Sequence, residues 1–228
     1  MADRAFYEKF RTTPQGQALL RMIRYAEGTE RGGPDSYRVM FGGGLAPDLK
    51  QHPDKVITGG GYSSSAAGAY QFLTPTWQQQ QKKLGLQSFG PVEQDIAALD
   101  LARQRTMGLG GLSYLQEKGL TPEFVAKLAP EWASLPTQQG KSYYGQPVKS
   151  YDELKKVYGQ QAATPVATTT TQQPQATQTT EQATPRYNIK DLMKASLFQN
   201  LLNQINQPSP TQGLIRGFMS GAPLGMFK

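Results

Sequence analysis

Apolar positions recur at intervals of three and four between Gln17 and Thr29, where Leu19, Leu20, Ile23 and Ala26 share one side of a helix and polar residues take the other. Gly28 closes the run, a residue suited to the left-handed conformation that ends helices, and Thr13 with Pro14 supplies an N-cap and a first-turn proline. Upstream, residues 3–11 predict a short helix. Downstream, Gly32, Gly33 and Pro34 mark a loop, and the alternation of Tyr37, Val39 and Phe41 with Ser36, Arg38 and Met40 predicts a short strand or extended arm stopped by Gly42 to Gly44. A second extended piece is expected at 55–58, before another glycine triplet.

The remaining pattern is helical. Thr74 and Pro75 read as cap and first-turn proline of a helix in which Trp77 and Leu84 face inward. Ile96, Ala97, Leu99 and Leu101 form the core face of a helix over 92–107. Thr121 and Pro122 open a helix ending at Leu128, the run APEWASL predicts a further helical turn or two stopped by Pro136, and a capped helix spans 150–158.

From Ala162 to Pro185 the chain is almost wholly Thr, Gln, Ala and Pro, a composition that cannot bury enough surface to offset its ordering entropy. As a free coil it would span about 27 Å between its ends. Periodicity returns from Tyr187 to Asn206, where Ile189, Leu192, Met193, Leu197, Leu201, Leu202 and Ile205 predict one amphipathic helix, which on its own is marginal and calls for a partner. Three regions follow: a folded domain over 1–160, a Thr/Gln/Pro-rich linker over 161–186, and an amphipathic helix with an apolar tail over 187–228. A docking peptide for an assembly, a frayed tail and a membrane surface are the readings open for the last.

Composition narrows the chemistry. The chain has no cysteine, so disulfides and thiolate metal sites are excluded, and its single histidine, His52, reads as structural; no metal site and no cofactor are expected. The formal charge of +7 is spread out, with 19 basic against 15 acidic residues through Gln160 and 5 against 2 beyond it. Such a balance fits a nucleic acid, an acidic membrane or an anionic bacterial wall equally. The start, MADRAFYEKF, has no apolar run, so no secretory signal is expected, and no segment is apolar for long enough to span a bilayer. The glycine triplets lack the strand-to-helix context and the following Lys-Ser or Lys-Thr of a phosphate loop, and read as turns or flexible lips around a cleft.

Glu27 is the candidate for acid–base chemistry. A carboxylate at the C-terminal end of a helix meets the negative pole of the helix dipole, and on the flank of an apolar face it loses water. Both effects keep it protonated towards neutral pH, as a general acid requires. The alternative for any glutamate near a helix end is a solvated surface group.

The chain resembles the lambda-type family of phage endolysins, lytic transglycosylases with a lysozyme-like fold. The resemblance is carried in order by Ala26 to Thr29, AEGT; the arm from Tyr37 to Gly43; His52-Pro53; Gly68, Tyr70 and Gln71 of SSAAGAYQFL; LGLQSFGPVEQD from Leu84 to Asp95; WASLP from Trp132 to Pro136; and Tyr144, Gly145 and Gln146. Ala69 departs from it, standing where the lambda-type enzyme has a basic residue. The family implies an α+β, lysozyme-like architecture, a mainly helical lobe plus a small β or extended lobe flanking a saccharide cleft. It implies cleavage of the β-1,4 bond between N-acetylmuramic acid and N-acetylglucosamine, with Glu27 as the catalytic acid and base and a 1,6-anhydro product. By the same resemblance Tyr70, Gln71, Tyr144 and Gln146 contact substrate, core packing being the alternative for Tyr70; Trp77 and Trp132 are read as core.

The implied partner is bacterial peptidoglycan, not nucleic acid, with phage structural proteins as a further partner through 187–228. The chain would reside in the host cytoplasm before lysis or in the virion, and act on the periplasmic wall. A hydrolytic muramidase and a non-catalytic virion protein with this fold are the rival readings. A hydrolase needs a second carboxylate across the bond; Asp35, Asp48 and Asp54 are available in the extended lobe, though none sits in a motif.

Overall fold

The computed structural model describes residues 4–59, 62–143 and 147–162. The apolar stripe beginning at Leu19 belongs to a helix, α2 (Pro14–Glu27), preceded by α1 (Arg4–Phe10). Thr13 caps α2 by accepting from Gly16 N at 3.0 Å, and Gly28, at φ 77°, closes it. The full stripe of α2 is buried, Ala18, Leu19 and Ile23 completely.

Between α2 and the next helix lies the small lobe. Residues Glu30–Arg38 wind as 3-10 turns interrupted at Gly33, where φ is 52°. The arm expected from Ser36 therefore begins at Val39: Val39 bridges Leu45, and Met40 bridges Ala67. Its start is delayed because Ser36 Oγ donates to Thr29 O at 2.7 Å, holding the preceding turn against the end of α2. The expected second extended piece is β1 (Ile57–Gly59), paired antiparallel with β2 (Tyr62–Ser64), a strand that the alternation did not indicate. Gly68 needs its small side: at φ 80° an added Cβ would lie 2.3 Å from Gln94 Oε1.

The helical lobe continues through α3 (Thr74–Leu84), α4 (Pro91–Thr106), α5 (Ser113–Lys118), α6 (Pro122–Leu128) and α7 (Tyr151–Ala162). Four local expectations change. Thr74 is the first helical residue, not the cap, and its N–H is taken by Ser65 Oγ at 3.2 Å. APEWASL forms consecutive turns instead of a helix, because burial of Trp132 and Leu135 competes with helical continuation and the backbone closes back on Leu128 and Trp132. Helix α5 was not foreseen, its six residues carrying one buried leucine, Leu115. The last helix extends past 158 through Ala162, into the start of the expected linker. The remaining linker and the expected helix over 187–206 lie outside the described residues.

The core runs through the helical lobe, with Trp77, Phe89, Phe72 and Tyr70 in ring contact at its junction with the extended lobe. His52 is buried there, edge-on to Phe89, its Nε2 2.9 Å from Phe72 O. The architecture is α+β, a helix-rich body with a two-stranded sheet in its smaller part.

Candidate active site

Glu27 is the last residue of α2 and is 2% exposed, more buried than its place at the stripe's edge suggests. The turn from Glu131 to Leu135 lies against it, and Ser134 Oγ donates to Glu27 Oε1 at 2.6 Å. Burial pushes the Glu27 carboxyl up to about 7, with the hydrogen bond from Ser134 opposing that rise and the charge of Glu131 adding to it.

Glu131 is itself 5% exposed, and burial raises its pKa, while Arg105 offsets that rise. Both Nε and Nη2 of Arg105 donate to Glu131 Oε2, at 3.0 and 2.7 Å. The two buried carboxyls thus differ in kind: Glu131 has a guanidinium partner, and Glu27 has a hydroxyl. Burial raises both, and Glu27, with no cation beside it among the described residues to oppose the rise, is the candidate for a neutral acid. Arg105 also lines a groove of about 630 Å³ between α6 and the loop 137–143, together with Lys127, Gln138 and Tyr143. Glu27 does not line that groove and is linked to it through the turn that carries Glu131 and Ser134.

Ser134, Glu131 and Arg105 escaped the sequence reading. WASLP contains Ser134 and was visible as a motif, but a serine amid apolar residues carries no sign of its partner 107 positions away.

The other expected residues fall apart. Tyr70 is fully buried, donating to Asp95 Oδ1 at 2.5 Å and accepting from Arg24 Nη1 at 2.9 Å, so it braces the wall from inside instead of presenting a surface to sugar. Gln71 is 3% exposed and takes an unusual φ of 50°. Its Nε2 donates to Gly68 O at 2.9 Å and Val39 O at 3.3 Å, and its Oε1 is buried without a partner among the described residues. Tyr144 and Gln146 lie outside the described residues. Trp77 and Trp132 are core, as expected.

The three loop carboxylates are engaged locally or exposed. Asp35 pairs with Arg38 at 3.2 Å, Asp48 Oδ1 accepts from Lys50 N at 2.9 Å, and Asp54 is exposed, its N–H donating to His52 Nδ1 at 3.1 Å.

Comparison with known proteins agrees on one group. The Endolysin family model matches residues 17–165. The endolysin of Escherichia phage lambda is 35% identical over 127 residues, which is 54% of this chain and 77% of that protein. The endolysin of Escherichia phage P2 is 33% identical over 112 residues, 49% of this chain and 62% of that protein. Among solved structures, bacteriophage lambda lysozyme complexed with a chitohexasaccharide aligns with a TM-score of 0.57 and 31% identity, over 65% of this chain and 94% of that one. A second structure of lambda lysozyme gives a TM-score of 0.51 and 28% identity, over 66% and 91% respectively.

Proposed function

We propose that this chain, which belongs to the endolysin family, degrades bacterial peptidoglycan, and that it does so as a lytic transglycosylase at the β-1,4 bond between N-acetylmuramic acid and N-acetylglucosamine. The observation that carries the reading is the state of Glu27, a carboxyl kept protonated by burial up to about pH 7 and oriented by Ser134. Glu27 gives its proton to the glycosidic oxygen, and the bond to the muramic C1 breaks. As carboxylate it then removes the proton of the same sugar's 6-hydroxyl, whose oxygen closes on C1. The proton returns to Glu27, a 1,6-anhydro end forms, and no water is consumed.

The carboxylate inventory supports this over hydrolysis. A second carboxylate across the bond is the requirement of the common hydrolytic mechanisms. The buried neighbour, Glu131, is held by Arg105, Asp35 is paired with Arg38, and Asp48 and Asp54 are exposed carboxylates of the extended lobe that lack a buried seat like that of Glu27. A mechanism with one acting glutamate uses what this arrangement offers. Tyr144 and Gln146, from sequence alone, are assigned to glycan contact, while Gln71, whose Oε1 is buried, backs the wall as Tyr70 does.

The lambda lysozyme structure holding a chitohexasaccharide supports a glycan substrate for this chain as well. The segment over 187–228 is assigned to docking on phage structural proteins, which favours a place in the virion over a free enzyme stored in the host cytoplasm. The test of the chemistry is mass spectrometry of digested walls: muropeptides ending in 1,6-anhydro sugar are expected, and new reducing ends without anhydro sugar would overturn the transglycosylase reading in favour of hydrolysis.

A further inference from the structure

Arg11, just after α1, and Arg24, in the last turn of α2, line a cavity of about 220 Å³ whose wall also includes Tyr37, Asp95, Gln17 and Gln161. The two guanidiniums carry many N–H donors and use few of them. Arg24 Nη1 donates to Tyr70 OH at 2.9 Å, and its guanidinium carbon lies 5.9 Å from the ring centroids of both Tyr37 and Tyr70. The Arg11 side chain makes no hydrogen bond among the described residues: Nη1 stands 3.8 Å from Asp95 Oδ2, and Nε is buried without a partner.

Asp95 is the one carboxylate in the wall among the described residues; its Oδ1 accepts from Tyr70 OH at 2.5 Å and Tyr37 OH at 3.0 Å, which leaves Oδ2 to face the cations. Two cations therefore face one carboxylate across a polar cavity, with one buried donor, Arg11 Nε, left over among the described residues. An unsatisfied buried donor is costly, and the chemistry that removes the cost is an acceptor with negative charge. The amides of Gln17 and Gln161 meet in the same wall through a long bond of 3.4 Å, which an incoming acceptor can replace.

We propose that this cavity binds a small oxyanion, a carboxylate or a phosphate, between Arg11 and Arg24. The site is separate from Glu27 and does not depend on the cleavage reading. Its occupant ties α1, α2, the start of α4 and the end of α7 together, because each contributes to the wall or borders it.

The test titrates the full chain with sodium phosphate in one arm and sodium acetate in the other, at constant ionic strength balanced with chloride, and reads the unfolding temperature. A saturable rise is expected in at least one arm: phosphate alone assigns a tetrahedral anion, acetate alone a carboxylate, and both the shared oxyanion chemistry. Arg11→Gln removes a charged donor without breaking any hydrogen bond of its side chain, and is expected to weaken the response about tenfold. No saturable rise above chloride in either arm, or an unchanged response in Arg11→Gln, overturns the proposal. Wall cleavage by the same preparation is measured separately, so failure of the anion site and failure of the enzymatic reading are told apart.

Discussion

Glu27 is held neutral because ionising it in a buried seat costs more than the single hydroxyl of Ser134 returns. Its pKa of about 7 lies above the ordinary 4.5, so the native state binds more protons than the unfolded chain between those values and loses stability as pH rises through that window. The loss is on the order of 3 kcal/mol and is complete above about pH 8. Glu27→Gln removes the titration, so its stability relative to the parent should climb from pH 4.5 to pH 8 in denaturant unfolding; a difference that does not change with pH would contradict the assignment. Ser134→Ala withdraws the interaction that lowers the Glu27 pKa. Its rate profile on cell walls should keep its shape while the alkaline limb moves to higher pH, with activity falling about tenfold at the parent optimum as the carboxyl loses its orientation. The seat of Glu27 at a helix end was legible from the apolar period and the glycine stop, whereas its catalytic role came from the resemblance carried by AEGT, since most glutamates near a helix end are solvated. Ser134 and Glu131 were not legible, since their significance comes from a contact between segments far apart in sequence.

At the scale of elements, cap chemistry and apolar period read well where both agreed. The Thr13-Pro14 start and Gly28 stop of α2, and the Thr121-Pro122 start of α6, stand where the sequence placed them. Thr74 misled because Leu73 is the cap position and a serine from another segment, Ser65, satisfies the helix end. The strand β2 was invisible because three residues, Tyr62–Ser64, cannot establish an alternation. The join between lobes depends on Gln94, whose Oε1 accepts from Ala69 N at 2.9 Å while Nε2 donates to Phe89 O and Tyr37 O. Gly68→Ala drives a Cβ into that amide at a backbone angle that disfavours side chains. It is expected to cost about 2 kcal/mol or more, measured by denaturant unfolding, with a larger relative loss of wall cleavage than of stability. A neutral substitution would show that the join tolerates repacking.

Across the whole molecule the sequence divides into a folded domain and a polar stretch followed by a renewed apolar period. The family match covers 17–165, so the part beyond it carries none of the cleavage argument. Deleting residues 187–228 is expected to leave turnover on purified walls unchanged while removing the protein from purified phage particles; particles that retain the shortened chain would contradict the docking role. The central claim concerns Glu27 alone. Its most direct test compares wall clearing by Glu27→Gln and by the parent, at equal concentration of folded protein near pH 6. The account predicts that the variant, isosteric and unable to give up a proton as an acid does, loses activity by about a thousandfold or more. A Glu27→Gln protein that clears walls as fast as the parent would contradict it.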